Sequence, residues 1–90
     1  MLQFEVNDSL IQLHRDDITS LGFTPDGRYI VSGGRDNIIN QLDRKSGIPV
    51  CSCVGHKSAV TSVAYLLDGL YIVTGSEDYT IKIWDVSKER

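Results

Sequence analysis

The chain has 90 residues, 41% of them hydrophobic, with 9 Lys+Arg against 12 Asp+Glu and a net charge of −3. That length supports one small domain, which buries only about 60–65% of its unfolded surface. The acidic balance argues against nucleic acid or an anionic membrane as partner, and no apolar run is long enough to span a bilayer.

The N-terminal MLQFEVNDSL carries Glu5 and lacks the basic-then-apolar order of an export signal, so the Asn7-Asp8-Ser9 sequon is read as silent. Residues 3–6 and 9–13 read as short strands. From His14 onward the pattern is again of short strands. Asp26-Gly27 separates the first from a second containing the consecutive Tyr29, Ile30 and Val31. A third precedes the polar linker from Asp43 to Pro49, where Arg44-Lys45 reads as a solvated turn, and a fourth runs from Val50 to Val54. Val60 to Leu66, Leu70 to Gly75 and Thr80 to Val86 follow, broken by Asp68-Gly69 and Ser76-Glu77-Asp78. Asp-Gly between apolar runs predicts tight two-residue hairpin turns at Asp26, Gly27, Asp68 and Gly69, because such turns need positive φ. The consecutive apolar residues predict sheets covered on both faces.

Residues 14–48 overlay on 56–90 without a gap, at an offset of 42 (His14 onto His56). Identical pairs include Thr19/Thr61, Asp26/Asp68, Gly27/Gly69, Tyr29/Tyr71, Gly33/Gly75, Asp36/Asp78 and Asp43/Asp85. A period of roughly 40–45 residues with four strands per unit is the mark of propeller blades. Gly55-His56 followed by Trp84-Asp85 resembles the signature of the WD-repeat family. The resemblance covers nearly the whole chain, the first copy being degenerate: Leu13 stands for the Gly and Leu42 for the Trp. It implies an all-β fold of two four-stranded antiparallel propeller blades, incomplete as a ring on their own. Residues 1–13 would end a preceding blade, 14–55 form repeat 1, and 56–90 supply the first three strands of repeat 2.

The resemblance also implies a buried hydrogen-bond network of His56, Thr74, Asp78 and Trp84. In the first copy His14, Ser32 and Asp36 match it, one member short, which predicts a less rigid first blade. A hydrolase reading of His, Asp and hydroxyl lacks an exposed nucleophile and an oxyanion hole. Cys51, Cys53 and His56 lie close together, but zinc wants two spaced ligand pairs; two small core residues fit better, and no metal or other cofactor is expected. Cysteines one residue apart do not readily bridge, which points to a reducing interior, cytoplasmic or nuclear. Gly33-Gly34 precedes Arg35-Asp36, not the Lys-Ser/Thr of a phosphate loop. Tyr29 and Tyr71 read as packing residues.

Function is then expected on loops and rims, not in the blades. Positions that face the narrow rim in the resembled family are Asp17, Thr19 and Arg35 in the first copy and Ala59, Thr61 and Glu77 in the second. They are the candidate partner-binding residues, though no aromatic anchor stands among them. Thr19, Ser20, Thr61 and Ser62 are poor candidates for a channel site. The reading is a non-enzymatic scaffold that binds protein or peptide partners, as a segment of a larger propeller. The alternative is a self-assembling unit that closes a ring from three or four copies through end strands and apolar blade faces. Two blades alone would leave two apolar faces and open edges exposed.

Overall fold

The computed structural model describes residues 12–88. Within them the chain is all-β, in two antiparallel sheets. Blade 1 has the order β1 (Ile18–Phe23), β2 (Tyr29–Gly34), β3 (Ile38–Asp43), β4 (Pro49–Val54). Blade 2 has β5 (Val60–Leu66), β6 (Tyr71–Ser76) and β7 (Ile81–Asp85). The strand expected at 3–6 and most of that at 9–13 lie outside the described residues. Gln12 and Leu13 are described and are not in a strand.

The two Asp-Gly pairs make different turns, and both loops are four residues long, not two. Thr24 pairs with Tyr29, and a turn closed by the Gly27 amide on the Thr24 carbonyl (2.8 Å) holds Pro25 and Asp26 in its centre. Pro25 presets the first turn position, and only Gly27 takes positive φ, at 72°. In blade 2 the Leu70 amide closes on the Leu67 carbonyl, and Asp68 and Gly69 both take positive φ, 55° and 89°. That is the hairpin-type turn the dipeptide predicts. It is displaced one residue from the ladder because Leu67 also turns left-handed, at φ 49°.

The sheets pack face to face. Val31 and Ile39 of blade 1, with Cys53, meet Val60 and Ile72 of blade 2, with Val86, to make the buried core. Gly33 permits the close approach: a Cβ there would lie 2.6 Å from Val60 Cγ1. The core contains a polar clasp as well. Tyr65 of β5 donates its hydroxyl hydrogen to Gln41 Oε1 of β3 at 2.9 Å, and Gln41 is itself fully buried. Thr19 of β1 donates to the Val60 carbonyl across the same junction.

Among the described residues nothing covers the outward faces. Ile18, Leu21 and Phe23 are exposed on blade 1, and Leu66, Ile81 and Ile83 on blade 2. Among the described residues β7 has no strand on its outer side.

Gly33→Ala is expected to cost about 1–3 kcal/mol, the range for overpacking a core. Gly75→Ala, at the matching position, should cost less, because within the chain its Cβ meets the movable Ser62 hydroxyl at 2.9 Å and the Thr61 hydroxyl at 3.8 Å. Urea denaturation of both variants checks the order.

Candidate functional site

The loops at one rim of the blades are fixed by side chains buried beneath them. In blade 2 the indole N–H of Trp84 donates to Thr74 Oγ1 at 2.9 Å, and Thr74 Oγ1 lies 2.7 Å from His56 Nε2. His56 Nδ1 lies 3.0 Å from Asp78 Oδ2. Donor and acceptor roles order this chain. The carboxylate only accepts, so Nδ1 carries hydrogen and Nε2 accepts from the threonine hydroxyl, which accepts from the indole. Asp78 also receives the backbone amides of Lys57 (2.9 Å) and Thr80 (2.9 Å) and the Thr80 hydroxyl. One carboxylate thus ties the segment entering β5 to the β6–β7 turn.

Blade 1 repeats the arrangement without the indole. His14 Nε2 lies 2.7 Å from Ser32 Oγ, and Nδ1 lies 3.0 Å from Asp36 Oδ1. Leu42 is buried where Trp84 stands in blade 2. Other polar contacts, invisible to motif reading, brace blade 1. Asn40 donates its amide to the Leu13 carbonyl at 3.0 Å, and Ser52 donates to Asn40 Oδ1.

Both carboxylates are held below the ordinary aspartate value of 3.8. For Asp78 the Thr80 hydroxyl is the largest cause, opposed by burial and helped by the Lys57 amide and His56. For Asp36 burial is the largest influence and raises the value, but His14 and the amides of Arg15 and Ile38 together outweigh it. Ile38 stands where Thr80 does, so Asp36 lacks the hydroxyl.

The rim itself carries charge. Arg35 lies 3.8 Å from Asp17 Oδ2 within blade 1 and 3.9 Å from Glu77 Oε1 across the junction. All three are substantially exposed, so each pair adds only about 0–1 kcal/mol. The other rim candidates are differently used. Ala59 is buried, so its side chain presents no surface at the rim; its carbonyl accepts the Glu77 amide at 2.9 Å, as that of Asp17 accepts the Arg35 amide. The Thr19 hydroxyl is spent on the Gly33 and Val60 carbonyls. Thr61 is exposed. Ser20 Oγ is buried with no hydrogen-bond partner among the described residues. Arg44, on the opposite rim, is not purely solvated: its Nε donates to the Gly27 carbonyl at 2.6 Å.

One rim residue has no counterpart in the sequence reading. Tyr79 is 100% exposed and sits in the left-handed region at φ 71°. It ends the three-residue loop Glu77-Asp78-Tyr79, whose last position must turn left-handed before Thr80. In blade 1 that position is Asn37, at φ 69°, a residue suited to it. Its signal in the sequence is Tyr replacing Asn one position after the turn Asp.

A groove of about 510 Å³ runs between β4 and β7, lined by Cys51, Cys53, Trp84 and Val86 among others. The described residues hold no group of three or more His, Cys, Asp or Glu arranged to bind a metal ion. No described helix is long and apolar enough to cross a membrane.

A family model described as "WD domain, G-beta repeat" matches the chain twice, at residues 8–43 and 47–85. No curated protein matches it.

Thr74→Val removes the hydroxyl but keeps the volume, leaving His56 Nε2 and the Trp84 N–H without partners at about 1–3 kcal/mol each. Ser32→Ala orphans only the histidine, so its loss should be the smaller by urea titration. The depressed Asp36 and Asp78 bind fewer protons folded than unfolded. Their contribution is therefore complete above the unfolded value near 3.8 and is lost as pH falls through the lower folded values. Stability should fall below about pH 4. Asp78→Asn should make that fall shallower, measured by thermal melts from pH 2 to 7.

Proposed function

The chain belongs to the WD-repeat family, and from that premise we propose a non-catalytic scaffold that presents a protein- or peptide-binding rim, within a larger propeller. Tyr79 carries the reading. A bulky side chain in a left-handed conformation costs about 1–2 kcal/mol. Here it is spent on an aromatic ring wholly in solvent, two residues from Glu77. Tyr and Arg are among the side chains enriched in binding hot spots. Arg35, Asp17 and Glu77 supply the charged surround, and a rim of both signs favours a polar peptide over a nucleic acid. The His–hydroxyl pairs support scaffold over catalysis: the Thr74 hydroxyl is committed to the indole and the imidazole, beneath the surface.

A second reading is a closed ring built from three or four copies. The apolar residues exposed on both end faces favour it.

Peptides selected from a random phage-displayed library on the chain should lose affinity at least about tenfold with Tyr79→Asn and with Arg35→Ala. Tyr79→Asn should meanwhile raise stability by about 1 kcal/mol, because Asn tolerates that backbone. Peptides indifferent to both variants would remove the rim from the function.

A further inference from the structure

We infer that a second copy of this chain covers the open faces, blade 2 of one copy packing on blade 1 of the next in the register that joins the two blades within the chain. This rests on the second reading above and gives it residue pairs. The offset of 42 makes the argument. Strand residues at the internal junction have counterparts on the open faces, while Cys53 and Val86 of the buried core do not. Val60 and Ile72, both fully buried, correspond to exposed Ile18 and half-buried Ile30 of blade 1. Ile39, fully buried against blade 2, corresponds to Ile81, which is 76% exposed. The two open faces are thus the two halves of an interface already formed once. A contact that joins unlike faces repeats head to tail and closes when the rotation allows.

Apolar faces alone would fit any neighbouring blade. Three further matches point to this chain itself. First, the internal clasp pairs the Tyr65 hydroxyl with the Gln41 amide. Their counterparts are Phe23 and Ile83, which are 73% and 66% exposed. The hydroxyl and the amide are lost together. A blade carrying Gln opposite Phe23, or Tyr opposite Ile83, would bury an unpaired polar group; Phe23 against Ile83 buries none. Second, Thr19 bonds the Val60 carbonyl across the junction, and Gly33 leaves the hollow that Val60 fills. Thr61 and Gly75 repeat both devices on the open face, ready for Ile18 of a second copy. Third, Arg35 and Glu77 occupy the same rim position in the two blades and pair across the junction. Head-to-tail packing sets each Glu77 beside the next copy's Arg35, so charge alternates around the rim. Exposed pairs add little affinity but penalise like-charge registers.

Sedimentation velocity of the chain across a concentration series tests this. Phe23→Tyr and Ile83→Gln should each weaken association about tenfold or more. The double variant, which rebuilds the Tyr–Gln clasp, should return to within about threefold of the parent. Ile83→Lys should give a monomer with unchanged Trp84 fluorescence. A folded monomer for the parent would overturn both the inference and the ring reading. Association indifferent to all four variants would overturn this register and leave the ring reading standing. Mild oxidation of a mixture of Leu21→Cys and Ala64→Cys chains decides the case even if the parent is polydisperse. The matching Gly22 and Val63 approach closely, a Cβ on Gly22 lying 4.0 Å from Val63 Cγ2. Disulfide-linked heterodimers above the parent's own background support the register, and like-with-like dimers alone overturn it.

Discussion

Burial of one sheet face against another is the interaction on which everything else in this chain depends. Val31 and Ile39 lose all contact with water only because Val60 and Ile72 cover them. A four-stranded sheet has no core of its own, so each blade is stable to the extent that a neighbour lies on it. The close approach at Gly33 sets how tightly the sheets meet, and the Tyr65–Gln41 and Thr19–Val60 bonds set how they are aligned. Rim geometry follows. Arg35 reaches Glu77 because the strands beneath them are locked in register, since the ion pair itself is too exposed to hold anything.

Within each blade a carboxylate under the turn does the second tier of work. Asp36 and Asp78 accept the amide of the residue after His14 or His56, the histidine itself, and the amide two residues further on, Ile38 or Thr80. In a low-dielectric setting such chains are costly to break at any member, because the remaining groups lose water and partner together. The blades finish the chain differently. Blade 2 ends it on the Trp84 indole. Blade 1, with Leu42 there, ties β3 to β4 and to Leu13 through Asn40 and Ser52. Where the motif is degenerate, polar residues outside it, Asn40 and Ser52, supply hydrogen bonds of their own.

Strand order and the two-sheet architecture are legible because they rest on local signals: turn residues between β-rich runs, repeated at a fixed offset. What escapes reading depends on neighbours distant in sequence or on context around a dipeptide. Asp26-Gly27 and Asp68-Gly69 are identical, yet Pro25 forces one turn class and the left-handed Leu67 permits another. The Gln41–Tyr65 clasp joins residues of different blades, so neither copy of the repeat shows it alone. Ala59 keeps the rim position of Asp17 but is buried, although both carbonyls accept the amide of the matching turn residue, Glu77 or Arg35. Position in a motif fixes where a residue stands; accessibility is decided by what packs over it.

The two turns between the second and third strands show how a scaffold can hold an unfavourable residue in place. Both require a left-handed residue after the Asp. Asn37 meets the requirement in blade 1, and the turn there is held without a hydroxyl, since Ile38 follows. In blade 2 Tyr79 resists the same conformation. There the turn gains two grips: the Thr80 hydroxyl on Asp78, and the Ser76 hydroxyl, which accepts the Asp78 amide at 3.1 Å and donates to the Ser58 and Ala59 carbonyls. Gly34 stands in place of Ser76 in blade 1, where a side chain would meet His14 Nδ1 at 2.5 Å. Strain and extra restraint thus occur in the same turn. Local strain persists only where the surroundings over-determine it, and here the surroundings include two hydroxyl side chains, Ser76 and Thr80, that the unstrained turn does without.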